Sequence, residues 1–141
     1  MAEEADVRVS LTIRKGYINY QSAPDQFFAD VSVGNEPVPG VVTVTTDGVD
    51  VDLSTITEPG LCRMVNFGPT NYIEWGIWDP QTLIFYPIGE ILPGETYVVR
   101  LSRNLMEQYG GTGTGTTGPE NRLRMKANVA TCVAIVEVFE K

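Results

Sequence analysis

The sequence predicts an all-β fold, namely an antiparallel β-sandwich of the jelly-roll type, with an immunoglobulin-like sandwich as the alternative. Apolar and polar residues alternate with a period of two along most of the chain. Turns rich in Gly and Pro separate short strand-like segments at intervals of about 8–12 residues. The chain has 141 residues, of which 43% are hydrophobic and 20% charged, so we expect a single domain over residues 1–141 with a core of its own.

The amino-terminal part contains three strand-like segments. In residues 7–13 every odd position is apolar, from Val7 to Ile13, and the positions between them are polar, which predicts a strand with one buried face. Residues 16–20 and 27–33 repeat the pattern on either side of a turn. We expect residues 1–6 to form a short flexible arm before the first strand.

The middle of the chain has a strong turn signal. Residues 41–46 are rich in β-branched side chains, and Asp47-Gly48 follows them before the apolar alternation resumes over residues 49–53. Asp-Gly between two such segments predicts a β-hairpin. Further strands are predicted at 61–67, 72–78, 82–88, 96–101 and 133–139.

Residues 110–118 contain only glycine and threonine. Glycine loses the most conformational entropy on folding, and no side chain here is large enough to offset that loss by burial. We expect a mobile surface loop that joins two strands. A loop that orders against a neighbouring subunit is the alternative. The phosphate-binding pattern GxxxxGK[ST] is absent, which disfavours a nucleotide site.

The charge composition excludes several classes of function. The chain has 10 Lys and Arg against 18 Asp and Glu, a formal net charge of −8, and no histidine. Such a chain repels a phosphate backbone, so we expect no nucleic-acid partner. Without histidine there is no His-dependent triad and no His-ligated metal. The start of the chain lacks a signal-peptide pattern, and no run of 18 apolar residues occurs, which predicts synthesis in a cytoplasm and no membrane partner.

Cys62 and Cys132 are the two cysteines of the chain, and they form no CxxC motif. Two cysteines are too few for a disulfide framework. Their positions in strand-like segments favour two buried free thiols, and a single bridge between them is the alternative.

The carboxylates do not form a convincing catalytic or metal-binding pattern. Three acidic residues that lie close in sequence suggest a weak calcium site or, as we favour, solvated strand charges: Asp47, Asp50 and Asp52. A glycosidase pair could be drawn from Glu74, Asp79 and Glu90, although 18 carboxylates produce such pairs by chance. We therefore expect neither an enzyme nor a cofactor.

A basic strand face is a local exception to the acidic composition. Arg122, Arg124 and Lys126 alternate with apolar residues, which places all three on one face of a strand. Ion pairs with carboxylates of the same sheet are one interpretation, and docking to an acidic patch of a protein partner is the other.

Aromatic residues cluster between positions 72 and 86. By alternation Trp75 lies on the core side of its strand, and Trp78 lies on the opposite side, next to the Asp79-Pro80 turn. Trp and Tyr are frequent anchors of interfaces, so Trp78 and Tyr86 are candidate partner contacts together with the basic face. An exposed aromatic platform would instead suit a carbohydrate-binding module.

Five segments carry a resemblance to a known family. They are PGLCR at 59–63, NYIEWG at 71–76, LPGE at 92–95, VRL at 99–101 and RMKANVA at 124–130. In this order they resemble small virion proteins of tailed bacteriophages, in which an NxVEIG-like strand, an LxPGE turn and a basic-KA strand recur. The resemblance covers about the last 80 residues of the chain and carries over no catalytic residue.

The resemblance implies an accessory head protein of the cement or decoration type. Such a protein binds the outer surface of the capsid, contacts the major capsid protein and reinforces the contacts between its subunits. We expect a homo-oligomer, with a trimer as the expected order. Other head–tail, collar or fibre-base roles, a carbohydrate-binding module and a hydrolase remain as alternatives.

Overall fold

The computed structural model describes residues 5–29, 37–105 and 121–141, which form β-strands joined by turns, with no helix. The strands are β1 (Ala5–Val9), β2 (Thr12–Lys15), β3 (Ile18–Gln21), β4 (Asp25–Ala29), β5 (Val38–Val44), β6 (Val49–Asp50), β7 (Pro59–Asn66), β8 (Ile73–Asp79), β9 (Ile84–Ile91), β10 (Thr96–Arg100), β11 (Arg122–Ala127) and β12 (Cys132–Glu140). No helix that could span a membrane occurs in this part of the chain. The all-β prediction is confirmed. Of the predicted arm 1–6, only Ala5 and Asp6 are described, and they begin β1; the predicted loop 110–118 lies outside the described residues.

Strands β5 to β12 form two four-stranded antiparallel sheets. Sheet I has the order β10-β7-β12-β5, and sheet II has the order β6-β11-β8-β9. The pairing is nested, because β8 pairs with β9, β7 with β10, β6 with β11, and β5 with β12. The chain from Val38 onward is therefore one long hairpin folded across itself into two layers, an arrangement consistent with a β-sandwich.

The core lies between sheets I and II, and each sheet contributes one face to it. In β12 the buried residues Ala134, Val136 and Val138 alternate with Ile135 and Glu137, which are only partly buried. The main buried side chains are Val42, Val44, Cys62, Met64, Val136 and Val138 from sheet I, and Ile73, Ile91, Leu123, Met125 and Ala127 from sheet II. Burying one such aliphatic side chain contributes about 1.5–3 kcal/mol, so this layer is the main source of stability.

The predicted hairpin between residues 41–46 and 49–53 is wrong. The turn at Asp47-Gly48 exists, with the amide of Gly48 donating to the carbonyl of Thr45 at 3.2 Å. However, β5 pairs with β12 in sheet I, and β6 pairs with β11 in sheet II. At this turn the chain crosses between the sheets, so that Val44 and Val49 approach the core from opposite layers. Gly48 has a φ of 95°, which favours glycine.

A buried asparagine joins the end of β7 to the end of β9. The Asn66 side-chain amide donates to the carbonyls of Asn71 at 2.7 Å and Ile91 at 2.9 Å, and its Oδ1 accepts from the amide of Gly68 at 2.7 Å. Three partners satisfy this polar group inside an apolar region. Asn66 thereby fixes the 67–71 loop against the edge of sheet II.

Residues 5–29 form a two-stranded ribbon. We call this ribbon the arm from here on, in place of the shorter arm 1–6 that the sequence predicted. β1 pairs with β4 and β2 pairs with β3 around a turn at Gly16-Tyr17. Among the described residues, no hydrogen bond or ion pair joins the arm to the two sheets, and no arm residue belongs to the core. The expected burial of one strand face is wrong, because Val9, Leu11 and Ile13 are 49%, 55% and 43% exposed. The ribbon is a single layer, and no second layer of the described chain packs on its apolar side.

Candidate interaction surface

Trp78, Arg122, Arg124 and Lys126 lie together on the outer face of sheet II. The alternation of β11 buries Leu123, Met125 and Ala127 and turns the three basic residues outward. The register places Arg122 opposite Trp78, so their side chains are neighbours on the same face. Of the predicted contact residues, the fold brings Trp78, Arg122 and Arg124 together and places Lys126 on the same face, farther along β11.

Asp50 of β6 organises this face. Its carboxylate accepts a hydrogen bond from Nη1 of Arg122 at 2.9 Å and another from Nε of Arg124 at 2.6 Å. Burial would by itself raise the pKa of Asp50, but the hydrogen bonds and positive charges of Arg124 and Arg122 hold that pKa below its ordinary value. The two arginines therefore pair within their own sheet, which was one of the two interpretations of the basic strand.

Arg124 also stacks on Trp78. Its guanidinium carbon lies 3.7 Å from the centroid of the Trp78 ring, within the range of a cation–π contact. The Arg124 side chain is 17% exposed, whereas that of Arg122 is 53% exposed. Arg124 is thus held on two sides, by Asp50 and by Trp78, and the outer surface of the indole is partly covered.

A row of charges crosses the same face at the other end of the strands. Lys126 of β11 lies opposite Glu74 of β8, which in turn lies opposite Glu90 of β9. Lys126 is exposed and has no ion-pair partner within the described ranges. Like charges directly opposite each other are unfavourable, and Lys126 offsets the Glu74–Glu90 repulsion from the other side. The two glutamates lie on an open sheet face, whereas a glycosidase site would require a cleft.

Asp79, the third carboxylate of the hydrolase hypothesis, is part of the β8–β9 turn. It accepts hydrogen bonds from the hydroxyl of Thr82 at 2.8 Å and from the amide of Gln81 at 2.8 Å. The hydrogen bond from the Thr82 side chain makes the largest contribution to lowering the pKa of Asp79, and the one from the Gln81 amide makes the next largest. A carboxylate bonded in this way fixes a turn.

The acidic residues near β6 do not converge on a common point. Asp50 is bonded to two arginines, and Oδ1 of Asp52 accepts from the amide of Ser54 at 3.0 Å. Over residues 5–29, 37–105 and 121–141, no group of three or more His, Cys, Asp or Glu side chains is placed to hold a metal ion.

Tyr86 is separated from the other predicted contact residues. It lies opposite Ile77 and therefore on the inner side of sheet II, where the sheets diverge at the edge strands β9 and β10. An open apolar cleft of about 400 Å³, which we call the edge cleft, occupies this position. Its lining includes Trp75, Ile77, Ile88, Val99, Leu101 and Leu123. The sequence alone did not single out Ile88 or Val99, since the cleft arises from the separation of two strands that are distant in the chain.

The aromatic residues proposed for sugar binding do not form one platform. Trp78 lies on the outer face of sheet II under Arg124, while Tyr86 lies on the opposite face. Tyr72 directly precedes β8, six residues and therefore about 20 Å along the strand from Trp78. Trp75 packs against the core and is partly buried, in agreement with its predicted side of the strand.

Cys62 and Cys132 are free and buried, as the sequence favoured. Cys62 lies opposite Val138 of β12, six residues from Cys132 on the same strand. The thiols are therefore about 20 Å apart, well beyond the roughly 7 Å between Cα atoms that a disulfide allows. Burial, and secondly the nearby Glu137 carboxylate, raise the pKa of Cys62 to about 12.

Comparisons with protein-family models, curated proteins and solved structures find no match for this chain. The segments that resemble phage virion proteins fall on β7, β8, the β9–β10 turn, β10 and β11. They therefore belong to the framework of the two sheets.

Proposed function

We propose that this chain is a non-enzymatic structural protein of a tailed-phage particle, of the cement or decoration type. In this role it binds the outer surface of the capsid, contacts the major capsid protein and reinforces the contacts between capsid subunits. It acts as a homo-oligomer, with a trimer as the expected order. The sequence resemblance supports the phage assignment, and the outer face of sheet II supports a protein–protein contact.

The observation that carries the proposal is a cluster on the outer face of sheet II, in which Asp50 accepts hydrogen bonds from Arg122 and Arg124 and Arg124 stacks on Trp78. Trp and Arg are the residue types that most often dominate protein interfaces. Here their side chains are already fixed by neighbours, so docking would cost little additional side-chain entropy. An open sheet face with side chains held in this way suits another protein surface better than a small substrate.

We also propose that the sandwich is a jelly roll, in preference to the immunoglobulin-like alternative. If β5 to β12 are counted from one to eight, the nested pairs are one with eight, two with seven, three with six, and four with five. A long hairpin wrapped into two sheets in this way has the connectivity expected of two Greek keys. Jelly rolls are frequent in viral capsids, which is support at the level of fold only.

Binding to shells that lack the protein tests the proposal. We expect the added wild-type chain to bind the shells and to raise the temperature at which they release their contents. Trp78→Ala and Arg122→Ala should reduce shell occupancy. Arg63→Ala is the matched control, because Arg63 forms a 2.9 Å ion pair with Glu137 on sheet I and has a similar exposure to Arg122.

Four results would count against the proposal or a part of it. Shells that bind none of the chain would contradict the capsid role, and binding to isolated tails would favour the head–tail or collar alternative. Equal loss of occupancy for Arg63→Ala and Arg122→Ala would show that sheet II is not the docking face. Shells that bind the chain without gaining heat resistance would refute the reinforcing role.

A further inference from the structure

The arm is an amphipathic ribbon. Val7 and Phe27 are cross-strand partners on one face, and Ile13 and Tyr20 are partners farther along. The apolar alternation from Val7 to Ile13 places both pairs on one side of an extended strand. The other side is polar except for Phe28 and carries Asp6, Arg8, Thr12, Arg14, Gln21 and Gln26.

The apolar face of the arm needs a covering layer. An isolated two-stranded hairpin is only marginally stable in water, and an exposed apolar strand face promotes association. Over the described ranges, neither sheet I nor sheet II supplies that layer, since Leu11, Ile13, Tyr20 and Phe27 are all exposed. We therefore expect a surface outside the described arm and sheets to cover it.

The edge cleft has the matching character. Its lining is mostly apolar, and Ile88 at its border is 62% exposed. Both flanking strands have a free edge, because β9 pairs with β8 alone and β10 with β7 alone among the described strands. Pro87 removes one backbone donor from the β9 edge, whereas β10 contains no proline and could accept an added strand.

The arm and the two sheets carry net charges of opposite sign. The arm carries three basic and two acidic residues, whereas residues 37–105 and 121–141 carry seven basic and ten acidic ones. Arg14 and Lys15 lie at the tip of the arm, with no ion-pair partner in the described part of the chain. The cleft lining itself contains one charged residue, Arg100, so the electrostatic attraction is between the arm and the acidic sheets as a whole.

We propose that the apolar face of the arm packs over the edge cleft of a second copy of this chain, with some of its side chains in the cleft and the rest of the face on the sheet surface around it. From Ala5 to Lys15 the arm extends about 36 Å, and the two sheets form a body roughly 30 Å across, so an arm can reach over a neighbour. A ribbon face about 36 Å long and about 10 Å wide covers about 350 Å². A copy that gives one arm and receives one buries about 700 Å², close to the roughly 800 Å² per partner of a stable interface.

This inference rests on the homo-oligomer of the proposed function but not on the capsid role, because self-association requires no shell and is measured on the purified chain. Sedimentation of the full chain over a range of concentrations should show a species heavier than one chain. Leu11→Glu and Ile13→Glu should each raise the dissociation constant at least about tenfold, since each introduces a charge into the apolar contact. Ser10→Glu and Thr12→Glu, on the opposite face of the same segment, are the matched controls and should change it less than about threefold.

The acceptor side is tested in the same assay. Ile88→Glu at the edge cleft should weaken association, whereas Val129→Glu, at an exposed position outside the cleft lining, should not. Thermal unfolding provides the folding control, because all of these positions lie outside the core. A chain that is monomeric at every concentration, or equal effects of Leu11→Glu and Ser10→Glu, would overturn the proposal.

A disulfide between separately prepared chains identifies the contact directly. Leu11→Cys protein mixed with Ile88→Cys protein should form a covalent dimer, and Ser10→Cys mixed with Ile88→Cys should not. The native cysteines are buried and do not compete. If the double variant Leu11→Cys/Ile88→Cys instead forms the bond within one chain and the mixture forms none, the arm covers its own cleft and the proposal is wrong.

Discussion

Removal of the Asp50 carboxylate is expected to destabilise the fold mainly through Arg124. Asp50→Ala deletes the 2.6 Å hydrogen bond from Arg124 and the 2.9 Å hydrogen bond from Arg122. A hydrogen bond to a charged group in a partly buried position contributes about 1.5–3 kcal/mol, and a largely exposed ion pair contributes about 0.2–1 kcal/mol. We therefore expect a loss of about 2–3 kcal/mol, most of it from the Arg124 contact.

A double-mutant cycle separates the two arginines. Urea unfolding of the Asp50→Ala, Arg124→Ala and combined variants should give a coupling of about 2 kcal/mol, while the corresponding cycle with Arg122 should give less than about 1 kcal/mol. Arg124→Ala also removes the stacking on Trp78. Because this loss occurs both with and without Asp50, it cancels in the coupling free energy. The exposed Arg63–Glu137 pair on sheet I is the reference and should resemble the Arg122 cycle.

The pH dependence has a definite sign. The pKa of Asp50 is lowered in the folded protein, so its stabilising contribution is complete above the unfolded value of about 3.9 and is lost as the pH falls below it. The difference between wild type and Asp50→Ala should therefore be constant at neutral pH and shrink in acid. A coupling for Arg122 equal to or larger than that for Arg124, or a difference that grows in acid, would refute the reasoning.

Three further predictions concern the interior. The raised pKa of Cys62, about 12, should keep this thiol unreactive toward maleimide in the native protein at pH 8, and rapid labelling without unfolding would contradict its burial. Gly76→Ala should cost at least about 3 kcal/mol in urea unfolding, because a Cβ there overlaps the backbone of β9. Gly94→Ala is the control and should cost only about 1–2 kcal/mol, because Gly94 has a φ of 79° and free space around it. Equal costs for the two variants would argue against the overlap at Gly76. Asn66→Ala should cost about 3 kcal/mol through its three hydrogen bonds, and a change below about 1 kcal/mol would mean that the loop does not depend on them.

Alternation along individual strands was enough to predict much of this molecule. It placed Trp75 and Trp78 on opposite faces of β8 and the basic residues of β11 on one face, because side-chain direction in a strand depends only on position parity. The buried thiols followed from the same reasoning. These are local properties that a single strand determines without its neighbours.

Strand pairing was not predictable in the same way. Asp47-Gly48 has the composition of a hairpin turn, but β5 and β6 pair with β12 and β11, which lie more than 70 residues away in sequence. Alternation in the arm likewise indicated an apolar face correctly, yet it could not indicate whether the covering layer belongs to the same fold. Asp50 as the common partner of Arg122 and Arg124 depends on the same long-range pairing.

The position of β12 has a consequence for biosynthesis. This strand lies between β5 and β7 in sheet I and pairs with both, although it is the last strand of the described chain. While the ribosome has not yet released residues 132–140, β5 lacks its partner and the inner face of sheet I has a gap at its centre. Sheet I therefore cannot close until Glu140 has emerged from the ribosome, and until then its apolar strands are unprotected in the nascent chain.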